Sequence, residues 1–391
     1  MDVAALWQRA LAPPEARRLS ALEAAKIPQD PLHFERTRDL NARIAQRQNE
    51  LKPLKQRLDG ARKALTGLRR QPPPTVIFQR GDINLPGDTV TPAGLSAVAS
   101  VPAEFGLAHT SDEGDRRRKY ADWITDPRHP LTPRVIVNRI WHYHFGLGLV
   151  ATPSDFGYNG AAPSHSELLD WLTTRFLEEG WSLKALHRRI LLSATWQQSA
   201  TFNANFATLD ADNRLLWRFA PRRLQAETVR DAMLAVSGEL DPKIGGPSFQ
   251  PFTITRFNTY FYHLIDDDKP EFRRRTIYRM NVNTGRDPLL DALDCPAPSV
   301  TTPARRATTT PLQALALMND AFVLRQADKL ASRIRKADKE PQPHVEQAWL
   351  RTLGRSPTHD ELNQAQSLLE TADLKTLCWV LLNSSEFLHL R

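Results

Sequence analysis

The sequence predicts a mainly α protein: a multi-helix globular body with small β pieces, preceded by a kinked helical or coiled-coil arm. Three observations carry that expectation. Helix-start signals recur from about Arg116 onward, a heptad seam runs through the N-terminal part, and strand-like runs are few and short.

In chain order, residues 1–70 form the arm. Leu40, Ile44, Leu51, Leu54, Leu58, Ala61, Leu65 and Leu68 follow a 4–3 spacing, with Arg47 as the single polar member of the seam. Pro53 removes a backbone donor in mid-seam, and Gly60 and Gly67 weaken it further, so a kinked helix or a helical hairpin is expected, packed against another element. Gln71-Pro72-Pro73-Pro74 ends the arm and opens a β- and turn-rich join over residues 71–115. There Thr75-Val76-Ile77-Phe78 reads as a strand, and Arg80-Gly81-Asp82 as the turn that ends it rather than an adhesion tripeptide.

Residues 116–391 form the α-helical body. Pro133 opens a helix through Asn138, Trp141 and His144 that Gly146 ends. Ser164-His165-Ser166-Glu167, Thr310-Pro311-Leu312-Gln313 and Thr358-His359-Asp360-Glu361 have capping-box spacing, and Ser182 can cap the helix carrying Leu186 and Ile190. Arg275-Thr276-Ile277-Tyr278 is the expected late strand. The six tryptophans from Trp123 to Trp217 are expected as core anchors.

The net charge of +8 is unevenly spread. Residues 1–70 hold fifteen Lys and Arg against eight Asp and Glu; the remaining chain holds 37 against 36. The basicity thus belongs to the arm, and a nucleic-acid partner is not the expectation for a body so balanced. Forty of the basic residues are Arg, which suits bidentate contacts to carboxylate, sulfate or phosphate but also follows from genome composition. No run approaches the roughly 18 apolar residues of a membrane helix, so no membrane span is expected. Cys295 and Cys378 are too few for a disulfide framework or a cysteine metal site.

No Gly-x-Ser-x-Gly elbow, phosphate-binding glycine loop, His-Glu-x-x-His or Cys-x-x-Cys-His haem attachment is present. No metal is expected, and no cofactor in this chain. The densest polar cluster is Asn138, Arg139, His142 and His144, followed by Asp155, Asn159 and His165. At about 100° per residue, His142 and His144 point roughly 200° apart and cannot share a metal on one helix. The turn residues between Gly146 and Pro163 let the segment fold back, bringing Arg139, His142, His165 and Asp155 into a concave site for acid–base chemistry or acidic ligands. The commoner alternative is a set of buried histidines satisfied by backbone and Asp155. Arg222, Arg223, Glu227 and Arg230, with Arg273–Arg275 and Arg305-Arg306, can either clamp an acidic ligand or knit helices together as ion pairs, the blander and commoner use. Asp266-Asp267-Asp268 lacks calcium-loop spacing and reads as a solvated loop.

Tyr120-Ala121-Asp122-Trp123-Ile124-Thr125, the run Pro130–Trp141 and the run Gly148–Gly157 closely resemble the planctomycete–verrucomicrobial secreted domain of unknown function. Ser164–Trp171, Asn213–Trp217, Ala307–Leu315 and Leu382–Leu388 fit it too, so the resemblance covers residues 75 to the C-terminus. It implies export to the periplasm or cell exterior, in proteins whose N-terminal part is a cytochrome-c-type module carrying haem c, in bacteria that degrade complex and often sulfated polysaccharides. The chain shows no signal peptide, haem motif or intermediate domain, so it is expected to be the C-terminal half of a longer protein or of a split gene. It carries over no catalytic residues. The functional expectation is an accessory or binding module for a partner domain or an anionic glycan; the alternative is a polysaccharide-modifying enzyme or cytochrome-linked oxidoreductase using the 138–165 cluster.

Overall fold

The computed structural model describes residues 31–59, 67, 70–337 and 342–390. The chain divides into two compact units, residues 1–72 and 73–391. In the first, α1 (Pro31–Asp59) continues through Pro53. Its seam residues Leu40, Ile44, Leu51 and Leu54 are exposed. The seam positions Ala61, Leu65 and Leu68 lie outside the described residues.

The second unit is mainly α, and about half of the chain is helical. It opens with an antiparallel pair, β1 (Thr75–Phe78) and β2 (Pro86–Val90), in register Thr75↔Val90. Arg80 and Gly81 both take positive φ, 52° and 78°, so Arg80-Gly81-Asp82 is the expected turn. Then come α2 (Glu113–Ile124), α3 (Thr132–Phe145), α4 (Ser166–Glu178) and α5 (Leu183–Leu191). Asp112 and Ser182 cap α2 and α5 with their side chains. Pro133 stands in the first turn of α3, and Gly146 ends that helix at φ 83°, where a residue with a Cβ would be strained.

Val137 and Trp141 of α3, Leu172 and Phe176 of α4, and Leu186 and Ile190 of α5 make one core. Burying each such side chain stabilises by about 1.5–3 kcal/mol before chain entropy is set against it. The expected capping box at Ser164 does not form. Its N–H and Oγ both donate to Leu149 O, at 2.8 and 3.3 Å, closing the loop back onto α3, and α4 starts after His165 without a side-chain cap.

A second core lies around α6 (Ala226–Ser237), α7 (Pro311–Asn319), α8 (Ala321–Ala337), α9 (Gln342–Leu353), α10 (His359–Thr371) and α11 (Leu374–Leu382). Val323, Leu330 and Ile334 of α8 are fully buried, as are Met233 of α6 and Leu382 of α11. Thr310 and Thr358 both form complete capping boxes, with Gln313 and Glu361. The strand β3 (Arg222–Arg223), between the segments of the two cores, pairs with the last residues, β6 (His389–Leu390). A hairpin, β4 (Phe252–Arg256) and β5 (Tyr260–Leu264), supplies the late strands. Arg275–Tyr278 is not one of them: residues Thr276–Tyr278 form a 3₁₀ turn. The Thr276 N–H and hydroxyl both donate to Asp231 Oδ1 of α6, at 2.7 and 2.6 Å, so a side chain holds this backbone instead of a neighbouring strand.

Of the six tryptophans, Trp123 and Trp141 are buried as anchors, whereas Trp171 is exposed beneath the guanidinium groups of Arg175 and Arg189. Cys295 and Cys378 are both free.

Candidate functional site

The site begins at the C-terminal end of α3. As the helical geometry requires, His142 and His144 diverge. His144 turns toward α5, its Nε2 2.7 Å from His187 Nδ1 and its ring edge-on to Trp196. Burial first, then the neighbouring His187 and Arg222, pushes it down to about 4, so it is neutral at physiological pH. His142 is half-buried, and its Nδ1 is buried without a hydrogen-bond partner. Burial and the adjacent Arg222 cation lower its basicity as well.

Strand β3 brings two arginines to opposite tasks. Arg222 Nη1 donates to Tyr143 O at 2.6 Å, satisfying a carbonyl that the helix end leaves without an intrahelical partner and meeting the negative end of the helix dipole. Arg223 is embedded elsewhere. Its Nη1 donates to Thr308 O and Gln313 Oε1, both at 2.6 Å, and its Nη2 to Leu293 O at 3.1 Å and the Asp294 carboxylate at 2.6 Å. Asp294 has φ 65°, and it also accepts from the N–H and hydroxyl of Thr308 and from Gln313 Nε2. Burial opposes its ionisation, but these donors and Arg223 hold it below the usual carboxylate range. Arg223 and Asp294 therefore clasp the 294–308 segment to β3 and α7.

That segment carries Arg305 and Arg306. Arg305 pairs with the Glu227 carboxylate on α6, which also accepts from Cys295 Sγ at 3.6 Å. Burial disfavours the Glu227 charge, yet Arg305 and hydrogen bonds keep it below its ordinary value. Arg306 is exposed and makes no hydrogen bond or ion pair with any described residue. Between these groups lies an open cavity of about 410 Å³ lined by His142, Arg222, Arg223, Arg305 and Arg306, with Gln225 and Thr228 among the remaining walls and no aspartate or glutamate.

The other expected residues fall elsewhere. Asn138 has no exposed surface: its Nδ2 donates to Val150 O at 3.0 Å and Val150 N–H donates to its Oδ1 at 2.8 Å. A Cβ on Gly148 would stand 2.6 Å from Val150 O and 2.7 Å from Asn138 Nδ2, so this approach requires glycine. Arg139 is exposed and outside the cavity lining. The loop after α3 does fold back, but onto Asn138 and Leu149 rather than His142. Asp155 is exposed and accepts from Gly157 N–H in its own turn, Asn159 is exposed, and His165 contacts Ser164 Oγ at 3.0 Å through Nδ1. None of the three lines the arginine cavity, so the acid–base group of Arg139, His142, Asp155 and His165 is not assembled. Arg230 is buried, donating to Phe272 O, Arg274 O and Thr276 Oγ1.

The blander use of the remaining clusters prevails. Arg273 pairs with Glu239 and Asp268, Arg275 with Asp231, and Asp266 with Arg325. Sequence reasoning missed His187, Asp294 and Gln313. The Thr310–Gln313 capping box was the one available signal for the last, and it marks a helix start without revealing the Arg223 contact. Among the described residues, no group of three or more His, Cys, Asp or Glu can hold a metal ion, and no helix is long and apolar enough to cross a membrane.

The model of a family described as "Protein of unknown function (DUF1553)", PSD1, matches residues 116–369. The chain belongs to the DUF1553 family. The matched span contains α3, β3, α6 and the 294–308 segment, and hence every residue lining the arginine cavity. No curated protein and no solved structure matches the chain.

Proposed function

We propose that this DUF1553 chain is a binding module, and that it holds sulfated or carboxylated polysaccharide through the cavity at the end of α3. One observation carries the reading: four arginines and His142 converge on one cavity whose lining contains no carboxylate. Two of the four, Arg223 and Arg305, are neutralised by Asp294 and Glu227 and fix the walls. Arg222 spends one N–H on Tyr143 O, and Arg306 spends none. Their uncommitted donors and charge suit oxyanions, which guanidinium groups bind in two-point contacts. The volume lies within the usual range for ligand pockets, roughly 300–1,000 Å³. In the setting that the family resemblance implies, the module is exported and works beside a cytochrome-c-type module that carries the haem.

Isothermal titration with dextran sulfate, polygalacturonate and unmodified dextran tests this. Both polyanions should bind and the neutral polymer should not. In the full chain carrying Arg222→Ala and Arg306→Ala together, affinity should fall at least about tenfold, the loss of roughly 1.4 kcal/mol. The basic arm is intact in that variant, so unchanged polyanion affinity would assign binding to the arm and refute the cavity.

A further inference from the structure

A second cavity, of about 290 Å³, lies between α6, α8 and the β4–β5 hairpin, and its charges are not all used up inside the protein. Arg230 and Arg279 line it. The Arg230 guanidinium is sandwiched between Phe249 and Phe322, 5.6 and 5.3 Å from their ring centroids, and its donors are fixed on backbone carbonyls and Thr276. Arg279 differs. Its side chain is 5 % exposed, its nearest carboxylate oxygen is Asp287 Oδ2 at 3.6 Å from Nε, and Nη2 is buried with no hydrogen-bond partner. A buried guanidinium donor without an acceptor has lost its water and gained nothing in return until a partner arrives.

The same cavity holds an opposite imbalance. Asp320 accepts the Phe322 N–H at 2.9 Å, but no Lys, Arg or His among the described residues comes within ion-pair distance of it. Burial first, and then the carboxylates of Asp287 and Asp266, raise it above its ordinary value against the backbone hydrogen bonds from Phe322 and Val323. Asp266 itself is taken by Arg325. Leu234, Phe249, Leu264 and Phe322 supply apolar walls, and the other charged groups of the lining pair with one another, Arg273 with Asp268 and Lys269 with Asp267.

We propose that this cavity binds a small zwitterion of the α-amino-acid type, its carboxylate completing the Arg279 fork, its ammonium neutralising Asp320, and its side chain lying against the phenylalanine walls. Neither charge alone suffices. An anion would leave Asp320 without a cation, and a cation would leave the Arg279 Nη2 donor without an acceptor. The proposal is independent of polysaccharide binding, because the two cavities share no lining residue.

The test is thermal melting and isothermal titration of the full chain with each common L-amino acid at millimolar concentration. For an aliphatic ligand such as leucine, isocaproate (no ammonium) and isoamylamine (no carboxylate) serve as the single-charge controls. At least one amino acid should raise the melting temperature by a few degrees, and each of its single-charge counterparts should bind about tenfold more weakly or worse. Asp320→Asn keeps a side-chain oxygen for the Phe322 N–H and should abolish the preference for the zwitterion over its carboxylate counterpart. Arg279→Lys should weaken binding of both; should it fail to fold, Asp320→Asn alone decides. If no amino acid binds, if a single-charge counterpart binds as well, or if Asp320→Asn leaves the preference intact, the cavity is an internal ion network and the proposal falls.

Discussion

Arg222 Nη1 donates a 2.6 Å hydrogen bond to the carbonyl of Tyr143, 79 residues earlier in the chain. That bond ties the short strand β3 to the end of α3 and sets a wall arginine with no carboxylate partner beside His142. Its partner at the next position, Arg223, reaches instead for the 294–308 segment. Two adjacent residues of an extended strand point to opposite sides, and here each side fastens a different wall of the cavity.

Replacing Arg223 should therefore cost stability and binding together. Arg223→Lys keeps the charge but cannot make four contacts in a planar fork. The half-buried Asp294 partner is left underpaired, and the expected loss is on the order of 1–3 kcal/mol. Chemical denaturation measures the loss. A wild-type midpoint would show that the 294–308 segment is held by something else.

Asn138→Ala should destabilise without touching the ligand. It strands the N–H and the carbonyl of Val150 in the core, at about 1–3 kcal/mol for each unpaired group. Arg139→Ala, at an exposed position, should change neither melting nor polyanion affinity. Loss of affinity in the Arg139 variant would return attention to the outer face of α3.

Acid should weaken the α3–α5 contact. His144 is pushed down to about 4 in the folded protein, against about 6.5 in an unfolded chain. Between those values the unfolded chain takes up a proton that the native site refuses, so stability falls as pH drops from about 6.5 toward 4. The shift sets an upper scale of about 3 kcal/mol. Denaturation curves at stepped pH should show a steeper acid loss in wild type than in His144→Gln.

The fold was largely legible in the sequence because its signals are local. Gly146 ends α3, Ser182 caps α5, and the Thr310 and Thr358 boxes form as their spacing demands. Local rules failed where a distant partner claimed the backbone. Ser164 gives its N–H to Leu149 instead of starting a helix, and Thr276 is drawn to Asp231 instead of a strand. The same distinction governs the site. His142, Arg222 and Arg223 were recognisable as candidates, but their assembly depends on bonds spanning 70 to 90 residues, from Arg222 to Tyr143 and from Arg223 to Asp294 and Gln313. Asn138, a member of the same polar cluster as His142, is committed to Val150 instead.

The imidazole of His142 reports most directly on whether an anion enters this cavity. With the site empty, burial and Arg222 hold its basicity below the ordinary value. An oxyanion bound between Arg222 and Arg306 offsets that cation and favours the protonated ring, so binding must take up a proton and tighten as pH falls toward the His142 titration. The measurement is the NMR titration of the His142 Cε1–H signal against pH, with and without a sulfated oligosaccharide. A ligand-induced upward shift of its titration is expected, absent in the Arg222→Ala, Arg306→Ala chain. A His142 titration that stays unmoved while the oligosaccharide is bound would contradict it.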